Sequence, residues 1–184
     1  MTATWHRILE RVGNPLEWRL LDKALIIQAV VLPGMIGSLL RAEYLATHPE
    51  VEPYYDRVAM HLLVRLIFGF LVVTFGLVAV GIRLRRYDGP HRVYVHIMNQ
   101  TWWLTYAVLT YLHGLATTPL WAIFPVLGLF CLLLFDPWLT AAGAVPCLLI
   151  IYATTVAERI GVLPYAPIFR DWPMVNGRIA DPWL

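Results

Sequence analysis

The stretch VAMHLLVRLIFGFLVVTFGLVAVGI, Val58 to Ile82, decides the fold, because His61 and Arg65 are its only ionisable side chains. About 20 such residues wound as an α-helix cross the roughly 30 Å hydrocarbon core of a bilayer, and the helix closes its own backbone hydrogen bonds where water cannot. Four more apolar runs flank it: Ala24 to Leu40, Val93 to His113, Leu120 to Phe135 and Trp138 to Ala157. The expected fold is therefore all-α, a polytopic transmembrane bundle of about five spans. The first and fourth runs are the shortest; Trp121 and Trp138 as interfacial aromatics, and Arg41 extending its head to water, would complete them.

Composition agrees. Of 184 residues, 59% are hydrophobic and only 14% charged, with mean hydropathy +0.64, whereas a soluble domain carries charge on about a quarter of its residues. Net charge is +2 and Lys23 is the only lysine, so no basic stripe suits a nucleic acid and none is expected as partner. Cys131 and Cys147 both lie in apolar runs and read as small hydrophobes. The first 23 residues lack a short apolar core followed by a small-residue cleavage site, so the first run is expected to be a retained span.

Arginine and lysine set the expected orientation. Arg7, Arg11, Arg19 and Lys23 precede the first span, and Arg83, Arg85, Arg86 and Arg92 separate the second and third, which puts these segments and the N-terminus in the cytoplasm. The acidic 41–57 loop, the uncharged 114–119 turn and the 158–184 tail then face outward. Three regions follow: residues 1–23, juxtamembrane, either a short amphipathic helix (Pro15 to Lys23) or a simple turn; 24–157, the bundle; and 158–184, a Pro- and aromatic-rich tail at the outer interface. At the Phe135-Asp136-Pro137 turn, Asp136 is expected to cap the following helix with Pro137 at its first position.

Polar side chains within spans are candidates for ligand sensing. His61 and Arg65 share one helical face, fitting either a snorkelling role near Asp56 or an outward-facing pocket. His96, Asn99 and Gln100 share a face of the third span and suit interhelical hydrogen bonds better than catalysis. His113 closes that span; with His61 a bis-histidine haem site is conceivable, but a second matched pair is missing, so no cofactor and no metal are expected. Gly69 and Gly76 lie seven residues apart on a common face, where a second helix could approach closely. No nucleophile elbow, phosphate loop, HExxH or CxxC pair occurs.

The arginine-rich loop and aromatic third span, RLRRYDGPHRVYVHIMNQTWWLTY (83–106), the Asp136-Pro137 turn and the ERIGVLPYAPIF stretch (158–169) resemble the N-terminal membrane region found ahead of class III adenylate cyclase catalytic domains. Membrane regions of some sensor histidine kinases are similar. The resemblance implies six spans and a cytoplasmic effector after the last, whereas five are counted here, so the expectation is a chain that stops before a sixth span or a stand-alone relative. It also implies a sensor or anchor in a bacterial inner membrane, a homodimer, and a small hydrophobic ligand or lipid as stimulus. A small transporter or channel subunit is the alternative from another class.

Overall fold

The computed structural model describes residues 17–48, 50, 55–114, 120–169, 174–175 and 178–179, with backbone alone at 120–124, 130, 174–175 and 178–179. Arg7, Arg11, Pro15, Leu16, the 115–119 turn and the tail residues Trp172, Pro173, Pro182 and Trp183 lie outside the described residues, as does the side chain of Trp121. The described residues form five helices: α1 Leu20–Thr47, α2 Arg57–Leu84, α3 Arg92–His113, α4 Leu120–Leu134 and α5 Pro137–Arg159. Met174–Val175 and Arg178–Ile179 add a two-residue antiparallel ladder in the tail.

By length and apolarity α1, α2 and α5 are fit to cross a bilayer, which makes this a helical membrane protein. The five expected spans thus reduce to three on that criterion. α3 is long enough at 22 residues but interrupts its apolar face with His96, Asn99 and Gln100. α4 is 15 residues long, which at 1.5 Å per residue is about 22 Å and short of the hydrocarbon thickness.

Local chemistry sets the helix ends. Asp56 Oδ1 accepts the Ala59 N–H at 2.7 Å to open α2, and Asp136 Oδ1 accepts the Leu139 N–H at 2.8 Å to open α5, with Pro137 in its first turn. Gly114, at φ 76° and ψ 131°, takes a backbone conformation open to glycine and so ends α3. Leu20 to Lys23 form the first turn of α1, so the expected boundary at Lys23 falls inside a continuous helix.

α1 packs along α2, and α3 along α5; α3 also touches α1 and α2, while α4 leans on α5. Two apolar clusters result. One joins Leu21 and Ala24 to Val95, Met98, Trp103, Cys131 and Cys147. The other joins Met35, Ala42 and Ala46 to Met60, Leu63, Ile67, Leu112 and Ile168.

Polar contacts hold both ends of the bundle. At the arginine-rich end the Arg85 guanidinium meets the Asp22 carboxylate at 2.7 Å, and Arg19 donates to the Tyr87 carbonyl at 3.1 Å, tying the start of α1 to the end of α2. At the opposite end the tail enters the bundle: the Asp56 N–H donates to Ile168 O at 2.9 Å, the Ile168 N–H donates to Leu112 O at 3.3 Å, and the Tyr55 and Phe169 rings stack at 5.4 Å. Ile168 is only 2% exposed, whereas Ile160 is 69% exposed. Ile168→Ala is therefore expected to cost about 2–5 kcal/mol, seen as a lower melting temperature in detergent and faster proteolysis of 160–169. Ile160→Ala should change neither.

Candidate functional site

The polar face of α3 divides into a closed seam and an open cavity. The seam lies against α5. Pro146 has no N–H, so the carbonyl four residues earlier, Ala142 O, loses its helical donor. Gln100 Nε2 supplies one by donating to Ala142 O at 2.5 Å. Asn99 Nδ2 donates to Leu139 O at 2.9 Å, and Asn99 Oδ1 accepts from Trp103 Nε1 at 3.1 Å. The Cys147 thiol donates to Trp103 O at 3.1 Å. A proline inside a spanning helix is tolerated when a neighbouring helix satisfies the freed group, and here a named amide does so.

Close approach of α3 to α5 depends on Gly143, where an added Cβ would collide with the Trp103 ring and fall 2.6 Å from Asn99 Nδ2. Gly81 plays the same part for α2, because a Cβ there would strike Tyr94 Oη and lie 2.8 Å from Leu25 Cδ2. Tyr94 Oη donates to Leu77 O across that contact. Gly69 and Gly76 differ: a Cβ on either meets nothing within 4 Å, so among the described residues neither packs against another helix.

The sequence-selected polar residues do not converge. His61 and Arg65 are exposed on α2. His96 is half-buried in a groove beside Gly143 and Pro146. The His113 ring shares its Nδ1 with its own helix, 2.8 Å from Leu109 O. Asn99 and Gln100 are committed to the seam. Among the described residues no three His, Cys, Asp or Glu side chains gather as a metal site would require.

The open feature lies between α1, α3 and α4, a cavity of about 330 Å³ with mostly apolar walls. Gln28, Gly34 and Met35 of α1 face Met98, Trp102 and Tyr106 of α3 across it. Gln28 is 2% exposed, and its Oε1 has no hydrogen-bond partner among the described residues; the same holds for Trp102 Nε1. Among the described residues no Asp, Glu, Lys, Arg or His lines the cavity. Its volume falls within the range of small-molecule pockets, and apolar walls with a few convergent polar groups are their usual construction. A second cleft, about 470 Å³, opens at the arginine-rich end between Arg19, Lys23 and Arg92 over Leu134 and Phe135.

Sequence reasoning missed Gln28, Gly81 and Gly143. Gln28 has no polar companion three or four residues away to mark a face, and glycine spacing identifies a stripe without saying what it meets.

No protein-family model, curated protein or solved structure matches this chain.

The seam makes a sharp prediction. Gln100→Leu leaves Ala142 O unpaired in a dry environment and should cost about 1–3 kcal/mol. In a Pro146→Ala background, where residue 146 regains its N–H, the same change should cost much less. Thermal melts of the four proteins in one detergent measure this coupling, and equal losses in both backgrounds would contradict the assignment.

Proposed function

We propose that this chain is the membrane-embedded sensor and anchor module of a signalling protein, and that its effector is a class III adenylate cyclase. The cavity between α1, α3 and α4 carries this reading, because a ligand lodged there touches helices that belong to both apolar clusters. A ligand that fits one packing of those helices better than another shifts their equilibrium by its differential affinity, and a helix leading to the effector transmits the shift. The sequence resemblance supplies the identity of the effector. A sensor histidine kinase would use the same module, and phosphotransfer in place of cAMP synthesis would reveal it.

In this reading all five helices cross the membrane, α4, short by itself, doing so by local thinning of the bilayer. The contacts at the two ends favour it: the starts of α1 and α3 share the arginine-rich end with the end of α2, and the end of α3 shares the opposite end with the start of α2 and with Ile168. α3 crosses despite its polar face because Asn99 and Gln100 spend their donors on α5. The arginine-rich end faces the cytoplasm of a bacterial cell under the positive-inside rule. Two chains pair through the α2 face that holds Gly69 and Gly76, which is open in the single chain.

Two experiments test this. With the chain fused ahead of a class III cyclase catalytic domain in a cyclase-deficient bacterium, cAMP output is expected to vary with membrane lipid supply. Gly34→Leu, which fills the cavity from a position with nothing within 4 Å, should hold that output fixed, and an unchanged response would count against the sensor. For the anchor, Gly69→Leu with Gly76→Leu should lower the yield of crosslinked dimer; an undiminished yield removes this face as the contact.

A further inference from the structure

We propose that the cleft at the arginine-rich end binds an anionic phospholipid, its headgroup among Arg19, Lys23 and Arg92 and its acyl chains starting along Leu133, Leu134 and Phe135. The inference needs only that this end of the bundle lies at a membrane surface, as the five-crossing reading has it; neither the effector nor the α1–α3–α4 cavity enters it. Among the described residues three cationic side chains and one carboxylate, Asp136, line the cleft. That carboxylate is already engaged, since its Oδ1 accepts the Leu139 N–H at 2.8 Å. Elsewhere at this end Arg83, Arg85 and Arg86 are matched in number by Glu17, Asp22 and Asp88, and Arg85 is paired with Asp22. The surplus of positive charge therefore belongs to the cleft. It is also open to a ligand: Arg19 and Arg92 are exposed and Lys23 is half-buried. Arg19 is steadied by the Tyr87 carbonyl, which takes one of the five N–H donors of its guanidinium.

Charge and apolar surface in one cleft select the ligand. Inorganic phosphate or a soluble phosphate ester would use the cations and leave the leucines uncovered. A neutral acyl chain would do the opposite. Phosphatidylcholine brings its own cation, which offsets the attraction of the other three. A phospholipid with a net negative headgroup uses both surfaces, and basic pockets between helices at the cytoplasmic face are a usual seat for such headgroups. Position agrees with this choice. Arg19 and Lys23 precede the apolar run that begins at Ala24, Arg92 precedes the one that begins at Val93, and Leu133 and Leu134 end α4. In a bilayer-crossing bundle the cations then lie at headgroup level and the leucines just beneath. Leu133 is 65% exposed and Trp138, two residues after Asp136, is 85% exposed, as suits a lipid-facing leucine and an interfacial aromatic. At about 470 Å³ the cleft has the size of a small-molecule pocket, more than a single ion fills.

The test uses the full chain in phosphatidylcholine nanodiscs with a trace of phosphatidylglycerol that carries a diazirine close to its acyl ester. Irradiation and peptide mass spectrometry should place the label on the 132–138 segment and on the first turns of α1 and α3. Phosphatidylcholine with the same diazirine should label these segments about tenfold less, the loss expected for one charge-assisted hydrogen bond. Arg92→Gln should weaken phosphatidylglycerol labelling by a similar factor, and Lys23→Gln should do so where Arg92→Gln lowers the melting temperature. Arg86→Gln makes the same charge change outside the cleft and should leave the labelling unchanged. Equal labelling by the two lipids, or an equal loss in Arg86→Gln, would overturn the site. Removal of the label by excess inorganic phosphate or glycerophosphoglycerol would show a soluble phosphate to be the ligand and overturn the lipid. No label from the phosphatidylcholine probe on α1, α2 or α5 would sink the membrane reading itself, whereas a labelled cleft with cAMP output that ignores lipid supply would support this site and count against the sensor alone.

Discussion

Hydrocarbon offers no hydrogen-bond partner, so every polar group that the sequence places inside a spanning bundle must be satisfied from within. Much of this structure follows from that constraint. The helices close their own backbone ladders, and Thr101, Thr105 and Ser38 return their hydroxyls to carbonyls one turn back. Pro146 opens a gap in α5, and the Gln100 amide fills it. Asn99 is divided between the Leu139 carbonyl and the Trp103 indole. The seam so formed explains why α3, the most polar helix, lies alongside α5. Among the described residues Gln28 Oε1, Trp102 Nε1 and Thr110 Oγ1 depart from the rule, and the first two belong to residues that line one cavity.

The two apolar clusters give this cavity its mechanical setting. One is centred on α3 and α5 with the start of α1, the other on α2 with the later part of α1 and the docked Ile168. α1 is common to both and contains Pro33, which frees a carbonyl at the level of the cavity. The ends are held by the Asp22–Arg85 pair and by the backbone bonds of Ile168. The bundle is thus pinned at both ends, with the apolar cavity between them.

The helices were legible in the sequence, and their ends less so. The second run was expected at 58–82 and the helix covers Arg57–Leu84; the first was expected at 24–40 and the helix runs Leu20–Thr47. Hydropathy marks where lipid ends, while a helix continues into water through Arg41 and Glu43 without penalty. The Asp136-Pro137 cap was readable because its chemistry is local. Glycine roles were not, since Gly69 and Gly143 look alike until the neighbouring helix is in place. Interhelical use of Asn99 and Gln100 followed from their shared face, yet the link between Gln100 and Pro146 joins positions on different helices. The tail's prolines and aromatics suggested an interfacial segment, and nothing local marked Ile168 as the residue that enters the bundle.

Side-specific cysteine labelling tests the bilayer-crossing account most directly. Cys131 and Cys147 are buried and should remain silent, so single cysteines at Asp88 and Tyr165 can be probed with a membrane-impermeant thiol reagent in intact cells and in inverted vesicles. The account predicts that Asp88→Cys reacts only in inverted vesicles and Tyr165→Cys only in intact cells. Thr117→Cys, which follows α3, should also react only in intact cells; its reaction only in inverted vesicles, the outcome if α1, α2 and α5 alone cross, or reaction of Asp88→Cys and Tyr165→Cys from one side, would contradict five crossings.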